Sequence, residues 1–261
     1  MSERILFTVE GGLGRITLNR PDRMNAFDDR MAHAWAEITV EATTRDDVRA
    51  ILLEAGGRNF CAGGDVMSMA AGATGTDITE LAGVINSGIR ALAESSVPVA
   101  VAAQGTTAGG GLGILLTGDY AVIGENSRIG SLYANIGLTP DLSVSAQLAK
   151  AVGERRALQL VLQDRMLSAQ DALDWGLVAE VVAPDEVRSR AEEVARFWLA
   201  GAAQAYGQAK RLVRDSSSRS FSDQLAEEAR SIGASLDTPD AQARVAAFAA
   251  ASAQKQDRRT A

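Results

Sequence analysis

The chain has 261 residues, 46% of them hydrophobic and 23% charged, a balance that excludes a disordered, collagen-like or coiled-coil protein. Its formal net charge of −7 argues against nucleic-acid binding by bulk charge, and its single cysteine, Cys61, excludes an intrachain disulfide. No apolar run approaches the ~20 residues of a membrane span and the first residues carry no signal-peptide pattern, so a soluble, cytoplasmic protein with no membrane partner is expected.

Two alternating apolar runs, 5–9 and 15–19, are separated by Gly11-Gly-Leu-Gly14 and predict a β-hairpin. Met31, Trp35, Ile38 and Ala42 recur at helical spacing and predict a helix over 28–44. An apolar strand over 49–54 stops at Gly56-Gly57. Residues 67–79 are small and polar and read as a mobile loop, followed by a helix over 80–95 that ends before Pro98. Strands follow at 97–103 and 120–123. The alternation of strand and helix to about residue 180 predicts α/β architecture with parallel crossovers.

Beyond Pro184 the pattern is helical: 186–199, 204–215 and 220–236, then 239–253, opened by Thr238 as N-cap and Pro239 in the first turn. This shift divides the chain into a core, 1–195, and a C-terminal helical region, 196–261.

The 25 glycines are above ordinary usage, and they are concentrated. Gly105, Gly109, Gly110, Gly111 and Gly113 follow a strand and open a helix, an arrangement that presents bare N–H groups and the positive end of a helix dipole. The bland alternative is a tight turn that lets helix and sheet pack closely. The spacing is not that of a dinucleotide fingerprint, and no Lys-Ser/Thr follows as in a P-loop. A second turn, Asn59-Phe-Cys-Ala-Gly-Gly-Asp65, follows the strand at 49–54. Two such turns on neighbouring strands could aim two N–H groups at one thioester or ester oxygen, each donor worth roughly 3–4 kcal/mol in acyl transfer. His33, the only histidine, argues against a Ser-His-Asp triad, and one His with one Cys makes no metal site. Cys61 has no basic neighbour in sequence and reads as a small packed residue.

Asn19-Arg-Pro-Asp-Arg-Met-Asn-Ala-Phe27, Phe60-Cys-Ala-Gly-Gly-Asp65 and Ala103-Gln-Gly-Thr-Thr-Ala-Gly-Gly-Gly-Leu-Gly113 resemble three signatures of the enoyl-CoA hydratase/isomerase (crotonase) superfamily. Ile136-Gly-Leu-Thr-Pro-Asp141, Ala151-Val-Gly-Glu-Arg-Arg-Ala-Leu158 and Ser168-Ala-Gln-Asp-Ala-Leu-Asp-Trp-Gly-Leu-Val178 follow in the family's order, so the resemblance covers about residues 3–250. It implies an α/β, crotonase-like β-β-α spiral core with an acyl-CoA site, a C-terminal helical trimerisation region, and a homotrimer or dimer of trimers. It implies no separate cofactor, coenzyme A entering as part of the thioester substrate. By position it assigns the oxyanion amides to Ala62 and Gly110. It places Arg23, Met24, Ala26, Ala62, Gly64, Asp65, Val66, Gly109, Gly110, Tyr133 and Leu138 at the substrate, with Arg20 and Arg23 as candidate phosphate or adenine partners.

Hydratases of the family use two glutamates, and the matching positions here are Gly113 and Tyr133, so the two-glutamate route is absent. Asp141 resembles the single carboxylate of the double-bond isomerases, and also the nucleophilic aspartate of chlorobenzoyl-CoA dehalogenases. Without the resemblance it reads as a turn residue capping a helix that begins near Ser143. One carboxylate suffices for a 1,3-proton shift because the proton is reused. The resemblance therefore points to enoyl-CoA isomerisation with Asp141 as the acid/base. The alternatives are a hydratase of another arrangement, a dehalogenase-like or hydrolase member, and a silent CoA-binding protein. An RNA-binding role is disfavoured by the acidic chain. The basic tail that many members place after a Phe is reduced, after Phe248, to Lys255.

Overall fold

The computed structural model describes residues 3–163 and 165–260, with the backbone alone for 254–260, so the Lys255 side chain lies outside the described residues. Strands β1 (Ile5–Glu10) and β2 (Leu13–Leu18) form an antiparallel hairpin. Its turn is Gly11-Gly12 alone, with φ of 59° and 90°, so Leu13 and Gly14, expected in the turn, belong to β2. A two-residue loop whose twist matches the strands needs positive φ at both positions. Helix α1 (Asp29–Thr44) is capped by the Asp28 side chain on Met31 N–H and buries Met31, Ala32, Trp35, Thr39 and Ala42. His33 is exposed, on a different face from Trp35.

After β3 (Ala50–Ala55), the stretch expected as a loop contains α2 (Val66–Ala70) and the start of α3 (Gly75–Glu94). The expectation missed two N-caps. Asp65 accepts from Met67 and Ser68 N–H, and Thr74 and Asp77 form a reciprocal capping box, which satisfies amides that a new helix leaves without partners. Then come β4 (Val99–Ala103), β5 (Thr106–Ala108), α4 (Gly110–Leu116), β6 (Tyr120–Gly124) and β7 (Arg128–Gly130). Next are α5 (Val144–Val152), α6 (Glu154–Leu162), β8 (Met166–Ser168), α7 (Ala169–Asp174) and β9 (Glu180–Val182). The chain closes with α8 (Val187–Ala200), α9 (Ala203–Asp215), α10 (Phe221–Leu236) and α11 (Pro239–Thr260), the first three within a residue of the expected spans and α11 running on past the expected end at 253.

One sheet runs β1-β2-β3-β4-β6-β9, parallel after the first hairpin, and a second, smaller sheet runs β5-β7-β8. Both faces of the large sheet are covered, as parallel crossovers require. Ile51, Leu53, Val99 and Val101 join Trp35, Ile85 and Leu92 of α1 and α3 in one core. Ala50, Leu52, Ala100 and Val122 pack on Val187, Ala191, Val194 and Ala195 of α8 in another. A division at 195 therefore cuts through a helix that belongs to the sheet, and the C-terminal helices begin after Ala200. Among the described residues no helix is long and apolar enough to cross a membrane.

Candidate active site

The turn after β3 is held from both sides. Phe60 and Cys61 N–H donate to Thr106 O at 3.1 and 3.3 Å, and Ala108 N–H donates to Cys61 O at 3.0 Å. Opposite, Phe27 N–H donates to Gly63 O at 2.8 Å and Asp65 N–H to Phe27 O at 3.0 Å. Asn25, fully buried at φ 54°, fastens this layer: its Nδ2 donates to Gly56 O and Asn59 O, and its Oδ1 accepts from Arg20 N–H. Asparagine is among the few non-glycine residues that take this left-handed conformation readily.

The second turn comes up against the first. Gly109 sits at φ 52° and ψ −130°, a glycine conformation, and donates to Gly130 O at 3.2 Å. Gly110 begins α4. A methyl group on Gly63 would stand 2.8 Å from Gly110 N, so the two backbones meet only because Gly63 has no side chain. The Gly110 N–H has no capping side chain and no acceptor among the described residues, and the Gly64 N–H likewise has none.

Ala62 differs from its expected role. Its N–H donates to Met24 O at 3.0 Å, so it is engaged in holding the turn, and the amide without an acceptor among the described residues is that of Gly64, two residues on.

Asp141 stands over the start of α4. Its Oδ1 is 3.6 Å from the point where a Cβ on Gly110 would lie. Tyr133, 9% exposed, donates its hydroxyl to that same Oδ1 at 2.6 Å. Asp141 is exposed at the open side of the site, yet the protein around its carboxyl desolvates it enough to raise its pKa, with the Tyr133 hydrogen bond opposing the rise. Desolvation first, then the Asp141 charge, push the Tyr133 hydroxyl far above the ordinary phenol value. Backbone strain collects here. Among the described residues the non-glycine residues at positive φ are Met24, Asn25, Leu132, Leu142 and Ser143, all flanking the two turns or the Tyr133–Asp141 pair. Leu142 also fills the space beside α4: its carbonyl oxygen overlaps the position of any Cβ on Gly113, and its Cδ1 lies 2.5 Å from a Cβ on Gly110.

Other expected residues divide into available and engaged. Arg23, Met24, Val66 and Leu138 are exposed near these turns, with Leu138 N–H bonded to Tyr133 O. Ala26 is buried, its N–H on Arg23 O and its carbonyl accepting from Arg20 Nη1. Asp65 is a cap and an ion-pair partner rather than a substrate ligand: Arg20 Nη2 lies 2.7 Å from its Oδ2. Desolvation would raise Asp65, but Arg20 and the capped N–H groups outweigh it and hold the carboxyl below its usual value. Arg20, 7% exposed and bound to Asp65 and Ala26, is thereby removed from the candidates for phosphate. Cys61 is buried and its thiol is pushed up to about 12 by desolvation, as a packed residue should be. Among the described residues no His, Cys, Asp and Glu group could hold a metal ion. Sequence reasoning did not single out Asn25, Gly63 or Leu142. Their roles come from which backbone atoms they meet, and only the positive φ tolerated by Asn and Gly was a signal.

Residues 8–255 match the family model for enoyl-CoA hydratase/isomerase. The 1,2-epoxyphenylacetyl-CoA isomerase of Escherichia coli (strain K12) is 32% identical over 228 residues, covering 86% of this chain and 87% of that protein. The trans-2-decenoyl-[acyl-carrier-protein] isomerase of Streptococcus mutans is 29% identical, covering 82% and 83%. Among solved structures, an enoyl-CoA hydratase from Polaromonas sp. JS666 superposes with a TM-score of 0.89 at 28% identity, covering 94% of this chain and 96% of that one. With a core of stacked strand-and-helix crossovers, a C-terminal helical region and a match over nearly its whole length, this chain belongs to the enoyl-CoA hydratase/isomerase family.

Proposed function

We propose that the protein shifts a carbon–carbon double bond in an enoyl-CoA thioester. In this reading the thioester oxygen accepts from the N–H groups of Gly64 and Gly110. The Asp141 carboxylate takes a proton from C2 of a 3-enoyl group, the charge moves onto the thioester oxygen, and the same proton returns at C4 to leave the 2-enoyl isomer. Two preorganised amides stabilise the charge where it develops, and one carboxylate serves both proton transfers. A carboxyl with a raised pKa is a stronger base once ionised and a readier acid on the return step.

The observation that carries this reading is the closure of position 113. A second carboxylate cannot enter there while the Leu142 carbonyl occupies the space, and Tyr133 fills the other glutamate position. Water addition by a glutamate pair is thus disfavoured by volume as well as by residue type. Arg23 is exposed and adjoins Met24, whose carbonyl accepts from Ala62 N–H in the turn, and it is the candidate for a CoA phosphate. We also propose that the chain self-associates as a trimer or dimer of trimers, supported by an apolar stripe left open on α10.

The test is turnover of 3-hexenoyl-CoA, followed by the ultraviolet absorbance of the conjugated product, with crotonyl-CoA hydration measured beside it. Asp141→Asn is expected to lower kcat by about 10²–10⁴-fold. Crotonyl-CoA hydration that outpaces isomerisation, and survives that substitution, would overturn the proposal.

A further inference from the structure

Tyr133 occupies the place of a missing glutamate, and a large residue there could simply fill volume. Its hydroxyl does something more specific. It is aimed at one oxygen of Asp141, donating to Oδ1 at 2.6 Å and lying 3.4 Å from the Asp141 carbonyl oxygen. Both ends of the pair are fixed by unusual backbone: Leu132, just before Tyr133, is at φ 53°, and Leu142 and Ser143, just after Asp141, are at φ 46° and 68°. Tyr133 O also accepts from Leu138 N–H at 3.0 Å, which closes the segment between the two side chains. A buried ring on a constrained backbone has little rotamer freedom to retreat.

We infer that Tyr133 is a positioning residue for Asp141, pinning its carboxyl through Oδ1 over the start of α4 and setting the pH at which the carboxylate becomes competent. This rests on Asp141 being the base of the proposed reaction. A donor held against a carboxylate favours the charged form, and its removal raises the carboxyl pKa.

Among the described residues, Tyr133 is the one side chain seen to hydrogen-bond the Asp141 carboxyl. Helix α4 contributes only Gly, Leu and Ile to this region. The turn before α2 brings Cys61, buried and acting on Tyr133 rather than on Asp141, and Asp65, which is paired with Arg20. Helix α5 brings Lys150, in its last turn.

The experiment uses the full chain and Tyr133→Phe, which keeps the ring and removes only the hydroxyl. Asp141 is titrated directly by NMR in protein labelled at the aspartate carboxyl carbons, its signal assigned by loss in Asp141→Asn. Tyr133→Phe is expected to raise the Asp141 midpoint by about one pH unit. The acid limb of kcat/KM for 3-hexenoyl-CoA should rise with it, while KM at high pH stays near that of the parent. If Tyr133 merely fills space, the midpoint and the acid limb stay where they were, and the inference is overturned. Retained activity in Asp141→Asn overturns the base itself, whereas lost activity there with an unmoved midpoint in Tyr133→Phe overturns the role of Tyr133 alone.

Discussion

At the scale of single residues, two carboxyls near the site lie on opposite sides of their ordinary value for opposite reasons. Asp141 is raised, chiefly by desolvation, so its contribution favours the fold while it is protonated and is lost as pH climbs through its folded pKa. At neutral pH its charge is a burden on stability that the proposed reaction requires. Asp141→Asn should therefore raise Tm at pH 7 even as turnover collapses, and the gain should vanish in acid; melting curves across pH check this. Asp65 is the reverse. Lowered by Arg20 and two capped amides against an opposing desolvation, it stabilises above its unfolded pKa, and that support is lost as pH falls through the folded one. Asp65→Ala leaves the buried Arg20 with only the 3.4 Å carboxylate contact to Asp28 and strips the cap from α2, so it should cost about 3–5 kcal/mol in urea unfolding. The sequence motifs pointed to Gly110, Tyr133 and Asp141, which the fold brings side by side. They could not distinguish the amide of Ala62 from that of Gly64, because the choice depends on where the distant Met24 carbonyl points.

Elements show why α4 is so rich in glycine. The helix has seven residues, all buried, and its first turn is wedged between the turn carrying Cys61 and the segment carrying Leu142. A Cβ on Gly111 would overlap the Cys61 carbonyl, as one on Gly113 would overlap that of Leu142. Gly63 guards the same joint from the other side. Gly63→Ala, at φ 96° and against Gly110 N, should lower kcat by about 10²–10³-fold, the loss seen when one oxyanion donor is displaced, with acyl-CoA binding measured separately by calorimetry. The long, evenly patterned helices were readable from spacing, whereas α2, the first turn of α3 and the short strands β5, β7 and β8 were not. Three-residue strands carry too few positions for a period to show, and α2 exists through the cap on Asp65 more than through any apolar stripe.

Across the whole molecule, the C-terminal helices divide their work. Helix α9 is tied to the core by two cations one turn apart. Lys210, 7% exposed, donates to Leu92 O and Val97 O and pairs with Asp119 at 3.0 Å, while Arg214 donates to Thr117 O and Gly118 O and pairs with the same carboxylate at 2.8 Å. These contacts place positive charge at the carboxyl ends of α3 and α4, where a helix dipole favours it. Helix α10 buries none of its residues. Phe221, Leu225, Ile232 and Leu236 form one exposed stripe along it, with Phe221 at 79% and Ile232 at 73%. An apolar face of this kind supports the proposed self-association. The double variant Phe221→Ser with Ile232→Ser should sediment as a smaller species than the parent at micromolar concentration, with the circular dichroism of the core unchanged. A parent chain that is itself monomeric would remove the proposed assembly.

The carbonyl of Leu142 has one more consequence, for how this site could change over time. A glutamate codon at position 113 would not give the protein a second acid, because the space is filled by main chain, which no substitution at 113 can trim. Gly113→Glu should lose isomerase turnover and thermal stability together and gain no hydration of crotonyl-CoA. The path between the two chemistries runs first through a shift of the segment around Leu142 and only then through a change of side chain. On the proposed reading, a lineage that settled into this loop conformation is separated from two-glutamate water addition by a rearrangement, not by a point mutation.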